Sequence, residues 1–89
     1  MKKRKVVRSG KFYVYILKCN DGAYYTGYTN DLNRRVEEHN AAKASRCTRA
    51  RLPVELVWRK EYTYLKNAMR EESRIKRMTR AQKEKLVSR

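Results

Sequence analysis

Tyr24–Asn40 reads YYTGYTNDLNRRVEEHN, and its period changes in the middle. Ala23–Tyr28 is aromatic-rich and reads as a strand. From Leu32 the spacing becomes helical, running to about Asn40, with Thr29 or Asn30 as the cap and Asp31 near the positive end. Leu32 and Val36 define the buried stripe of that helix. His39 falls almost at its centre, Arg35 lies at its edge and Arg34 points away.

The strand half needs a partner, and the preceding residues supply one. Phe12, Val14 and Ile16 alternate with Tyr13, Tyr15 and Leu17, then Asn20-Asp21-Gly22 marks a turn. A three-residue loop with Gly22 in the left-handed position is a common hairpin connection. It sets Cys19 opposite Ala23, Leu17 opposite Tyr25 and Tyr15 opposite Gly27. Tyr15 and Tyr25 then share a face as diagonal neighbours. A slip of one residue would separate them.

Downstream, Lys43–Leu52 reads as a loop carrying Lys43, Arg46, Arg49 and Arg51. Pro53 can open a strand but not sit inside a sheet. Val54, Leu56 and Trp58 then alternate with Glu55, Val57 and Arg59. A second helix spans about Leu65 to Met78, with Leu65, Ala68, Met69 and Ile75 apolar. Glu72 falls in the middle of that face and Glu71 well off it. Thr79-Arg80-Ala81-Gln82 is a capping-box pattern that opens a third helix to about Val87. The order ββαβαα predicts an α+β fold, a small three-stranded antiparallel sheet flanked by helices.

Charge bounds the partners. The chain has 89 residues, 24 Lys+Arg against 9 Asp+Glu, and a net charge of +15. Six basic residues lie in Met1–Lys11, so residues 1–10 read as a flexible basic arm before a single domain over 11–89. Such a balance favours a polyanion, with nucleic acid first. Arg46, Arg49, Arg51 and Lys76 are candidates for phosphate contacts. The longest apolar run, Phe12–Leu17, is far short of a membrane span or a signal-peptide core. Cys19 and Cys47, 28 residues apart beside one histidine, form no zinc pattern or disulfide framework. Both read as reduced thiols of a cytoplasmic protein.

Taken singly, the unusual residues have ordinary explanations. A lone histidine on an apolar stripe is most often a satisfied core residue, and an arginine at its edge a snorkelling one. Tyrosines in a hairpin commonly serve packing. Glu72 is harder to dismiss, because a carboxylate facing a core needs a cation, a metal or a proton. A structural ion pair with an arginine and a functional site are both open for it.

Taken together, Tyr13-Val14-Tyr15, Tyr25-Thr26-Gly27, Arg35, His39 and Glu72 resemble the GIY-YIG endonuclease superfamily. Arg35 follows Gly27 by eight residues, His39 follows Arg35 by four, and Glu72 lies in a helix similar to the one carrying that family's metal ligand. The likeness is greatest to small stand-alone bacterial members, which share the Asp31-Leu32, Arg34-Arg35, His39-Asn40, Thr48-Arg49, Pro53-Val54 and Ile75-Lys76 pairs. Tyr13, Val14 and Thr26 depart from the glycine and isoleucines of the family triplets.

The resemblance implies a divalent-metal-dependent endonuclease acting on nucleic acid, DNA first. Mg2+ or Mn2+ would be held by Glu72, waters and the scissile phosphate. Arg35 would grip that phosphate with its planar fork. Tyr15 or Tyr25 would take the proton of the attacking water, its pKa lowered by the metal and the basic surroundings. His39 would orient a tyrosine or the nucleophile, and Gly27 would permit close approach. Larger members carry a second domain for target choice, so this chain would be weakly selective or recruited by a protein partner. The alternatives are a nucleic-acid-binding module of the same fold, for DNA or structured RNA, and a basic adaptor for an acidic protein.

Overall fold

Asn20-Asp21-Gly22 closes the hairpin as its turn chemistry requires. Gly22 has φ +88°, the Cys19 amide donates to the Ala23 carbonyl at 2.8 Å, and the Gly22 amide donates to the Cys19 carbonyl at 2.9 Å. The strands on either side are β1 (Ser9–Lys18) and β2 (Tyr24–Thr29). Their register pairs Leu17 with Tyr25 and Tyr15 with Gly27, as the loop length predicts. The structure, a computed structural model, describes residues 9–88. Residues 1–8 of the expected basic arm lie outside the described residues, while Ser9 and Gly10 already belong to β1.

The remaining elements are α1 (Leu32–Asn40), α2 (Arg46–Arg49), β3 (Glu55–Tyr64), α3 (Leu65–Lys76) and α4 (Arg80–Val87). The sheet order is β2-β1-β3, antiparallel throughout. β1 is therefore central and apolar on both faces. Its odd residues Tyr15 and Leu17 pack with Leu32, Val54 and Cys19 beneath α1. Its even residues Val14 and Ile16 pack with Ala68 and Ile75 beneath α3, and Leu86 and Val87 of α4 join them. This is the expected α+β fold with one further turn of helix. Among the described residues, no helix is long and apolar enough to cross a membrane.

Four local expectations change. The cap of α1 is Asp31, whose carboxylate accepts from the Arg34 amide; Thr29 instead accepts from the Asp31 amide just outside the helix. The loop Lys43–Leu52 contains α2, capped by the Ser45 hydroxyl. In β3 the pairing jumps from Ile16–Trp58 to Leu17–Leu56. The extra residue, Val57, makes a bulge, so Leu56 joins the α1 face and Trp58 the α3 face, where simple alternation put them together.

In α3, Met69 is 44% exposed and does not belong to the buried stripe. Ala68 and Ile75 define the stripe instead, and at about 100° per residue they place Glu71 and Glu72 roughly 50° to either side of it. The two side chains are equally covered, at 18% and 16% exposure. Glu71 is thus not turned off the face. It holds Arg74 through two bonds of 2.8 and 2.6 Å, and the structural ion pair weighed for Glu72 belongs to Glu71.

Candidate active site

The β1–β2 register decides what meets on the α1 face. Gly27 lies directly opposite Tyr15, and the tyrosine ring leans across it. A Cβ at position 27 would stand 2.6 Å from Tyr15 Oη and 2.8 Å from Cζ. What approaches Gly27 is therefore the Tyr15 phenol. The missing side chain lets the hydroxyl reach over β2, an edge strand of the sheet.

Helix α1 brings His39 to the same hydroxyl. His39 Nε2 is 3.1 Å from Tyr15 Oη, and His39 Nδ1 is 2.8 Å from Thr48 Oγ1. The imidazole is 1% exposed and Thr48 0%. Tyr25 closes the cluster by ring contact, its centroid 5.0 Å from His39 and 6.5 Å from Tyr15. Burial, then the Arg35 charge, pushes the His39 pKa below its ordinary value, so the ring is neutral at neutral pH.

Tyr15 departs from expectation. Its pKa is raised, first by burial and then by Tyr25; Arg35 opposes this, and Glu72 and Glu38 add to it. The basic surroundings do not make a phenolate, because desolvation outweighs the one nearby guanidinium.

Arg35 on α1 and Glu72 on α3 both act electrostatically on this hydroxyl. Arg35 is half-buried, 3.6 Å from Glu38, and forms a shared wall of two hollows of about 220 Å³ each. One hollow is polar, with Asp31, Arg34 and Glu38; the other has Phe12, Tyr28 and Leu65. Arg34 stands in solvent with its side chain 74% exposed, as the helical projection predicts. Glu72 pairs with the exposed Lys76 at 3.3 Å, so the lysine expected to contact phosphate also covers the candidate metal ligand.

No group of three or more Asp, Glu, His or Cys converges among the described residues. One half-buried carboxylate suits a hard cation that keeps most of its waters, and suits no fully protein-ligated metal. On that donor set Glu72 fits the expected magnesium or manganese.

Helix α2 turns Arg46 and Arg49 outward, without ion pairs among the described residues, and Thr48 inward onto His39. Arg51, also expected to contact phosphate, has a partner within the chain. Its Nε lies 3.1 Å from Asp21 and its carbonyl accepts from the Asn20 amide, so it tethers α2 to the hairpin turn. Thr48 entered the sequence reading only within the shared Thr48-Arg49 pair and without a role at the site. Ser45, three residues before it, caps the turn and aims the threonine.

A family profile described as GIY-YIG catalytic domain matches residues 11–85. A UPF0213 protein of Staphylococcus epidermidis is 49% identical over 77 residues, covering 86% of this chain and 94% of its own length. One from Halobacterium salinarum is 51% identical over 74 residues, 83% of this chain and 96% of its own. The solution structure of a UPF0213 protein from Bacillus halodurans superposes with a TM-score of 0.59 at 44% identity, covering 89% of this chain and 84% of that one. With the triplets, Arg35, His39 and Glu72 in order along one matching domain, the chain belongs to the GIY-YIG family.

Proposed function

We propose that the chain is a divalent-metal-dependent endonuclease that hydrolyses phosphodiester bonds, with DNA as the first substrate. The observation that carries this is the convergence on one hydroxyl. Tyr15 Oη lies over Gly27, beside a neutral His39, within the fields of Arg35 and Glu72. A packing tyrosine needs none of these.

Glu72 holds the cation, which when bound offsets the charge developing on the leaving oxygen. Arg35 offers planar donors to two phosphate oxygens and stabilises the added charge of the transition state. Its contact with Glu38 at 3.6 Å engages one corner of the guanidinium and, among the described residues, leaves the others free. Tyr15 meets the attacking water, and His39 fixes the direction of its hydroxyl. Arg46 and Arg49, facing out beside this centre, hold the flanking backbone.

The test is incubation with branched, nicked, single-stranded and duplex DNA and RNA in Mg2+, Mn2+ or EDTA. Cleavage requires the metal. Arg35→Lys keeps the charge but loses the fork, and should lower cleavage on the order of 10²-fold at unchanged binding. Arg34→Lys should change neither. Binding by the wild type without cleavage of any substrate would make the chain a binding module instead.

A further inference from the structure

The contacts that end on Tyr15 form a chain with a direction, and its inner end sets that direction. A carbonyl only accepts, and Thr48 Oγ1 stands 3.3 Å from the Ser45 carbonyl oxygen. Where the Thr48 proton goes to that carbonyl, Oγ1 meets His39 Nδ1 at 2.8 Å as an acceptor. Nδ1 then carries hydrogen, and in a neutral imidazole Nε2 is bare. The bare Nε2 faces the Tyr15 hydroxyl at 3.1 Å, so the tyrosine donates. Burial of Thr48 and His39 keeps solvent from competing for the inner bonds.

Building on the nuclease reading above, we propose that Thr48 is a positioning residue that locks His39 in its Nδ1–H tautomer. The lock turns the Tyr15 proton inward, to Nε2, and its lone pairs outward, to the attacking water.

The step then balances without a free phenolate. The water oxygen bonds to phosphorus as its O–H bond breaks. That proton passes to Tyr15 Oη, while the proton already on Oη moves to Nε2. The leaving oxygen departs with the electron pair of the broken P–O bond and takes a proton from solvent. His39, now carrying two protons, returns one to solvent through Tyr15. The raised pKa of Tyr15 is no obstacle, because its oxygen gains one proton as it loses another. This assigns the base role to Tyr15 over Tyr25, whose hydroxyl has no hydrogen bond to His39.

His39 is the one histidine in the chain, so long-range 1H–15N NMR of the full-length protein reports a single imidazole. The expected spectrum has a protonated Nδ1 and a bare Nε2. Thr48→Val removes the acceptor at nearly constant shape. It should move the ring toward the Nε2–H form and lower kcat on the order of 10²-fold with KM unchanged. Thr48→Ser should restore both. A wild-type ring already in the Nε2–H form overturns the proposal, as does a Thr48→Val loss of kcat with the tautomer unmoved. Should Thr48→Val not fold, the wild-type spectrum and Thr48→Ser still decide. The tautomer is read without substrate, so an absence of cleavage would count against the nuclease reading and leave the lock to be judged by its spectrum.

Discussion

Glu72→Gln should abolish metal-dependent cleavage, a loss on the order of 10²–10³-fold, and leave the fold almost untouched. Among the described residues the carboxylate has one partner, Lys76 at 3.3 Å on the same helix, and that lysine is 53% exposed. Pairs of this kind are worth about 0–1 kcal/mol, so melting should hardly change. Nucleic-acid binding should persist or tighten, since a negative charge leaves the surface. Glu71→Gln is the matched control. It breaks a two-pronged contact to Arg74, whose pull holds the Glu71 carboxyl below its usual range; that same-helix pair is also worth only about 0–1 kcal/mol, so folded Glu71→Gln protein should cleave at the normal rate. Parallel melting curves and cleavage assays separate the two. Equal behaviour at both positions would mean that the helix does not aim its neighbouring glutamates at opposite flanks.

Gly27→Ala should damage stability and cleavage together, though it adds only a methyl group. The new carbon would lie 2.6 Å from Tyr15 Oη and 3.3 Å from Cε2, inside van der Waals contact. The ring cannot swing away freely, because Tyr15 is 2% exposed and His39 stands at its hydroxyl. Overpacking of this sort costs about 1–3 kcal/mol. A displacement of the hydroxyl by about 1 Å can lower cleavage on the order of 10²-fold. Adding Tyr15→Phe removes the closest atom, so the double variant should melt above Gly27→Ala while remaining inactive. A Gly27→Ala protein with normal melting and normal cleavage would show that the phenol does not need that space.

The features legible in the amino-acid sequence are local and periodic. Asn20-Asp21-Gly22 fixes loop length, loop length fixes register, and register puts Tyr15, Tyr25 and Gly27 together. Helical spacing brings Arg35 and His39 to that cluster and sends Arg34 away. The features that sequence patterns do not carry depend on tertiary contact. The phase of α3 is set by which residues meet Val14 and Ile16, and Met69 looks as apolar as Ile75 until that surface is present. The bulge at Val57 breaks alternation with no turn residue to announce it. α2 has four residues, RCTR, too few for a period, and it is ordered by the Ser45 cap and by His39. The raised Tyr15 pKa belongs here too, because charge is countable in a sequence and desolvation is not.

The distribution of ion pairs separates grip from shape. Of the six pairs among the described residues, five join side chains three or four apart on one helix; Asp21–Arg51 alone joins different elements. Salt therefore screens contacts worth a few tenths of a kcal/mol each, at a Debye length of about 10 Å in 0.1 M, and leaves both apolar layers intact. Phosphate binding by a chain of charge +15 responds in the opposite way, falling by nearly one power of salt concentration for each contact released. Ionic strength should thus strip nucleic acid from this protein well before it loosens the sheet. A molar-salt wash during purification would yield folded, ligand-free chain, and dilution would restore binding without any refolding step.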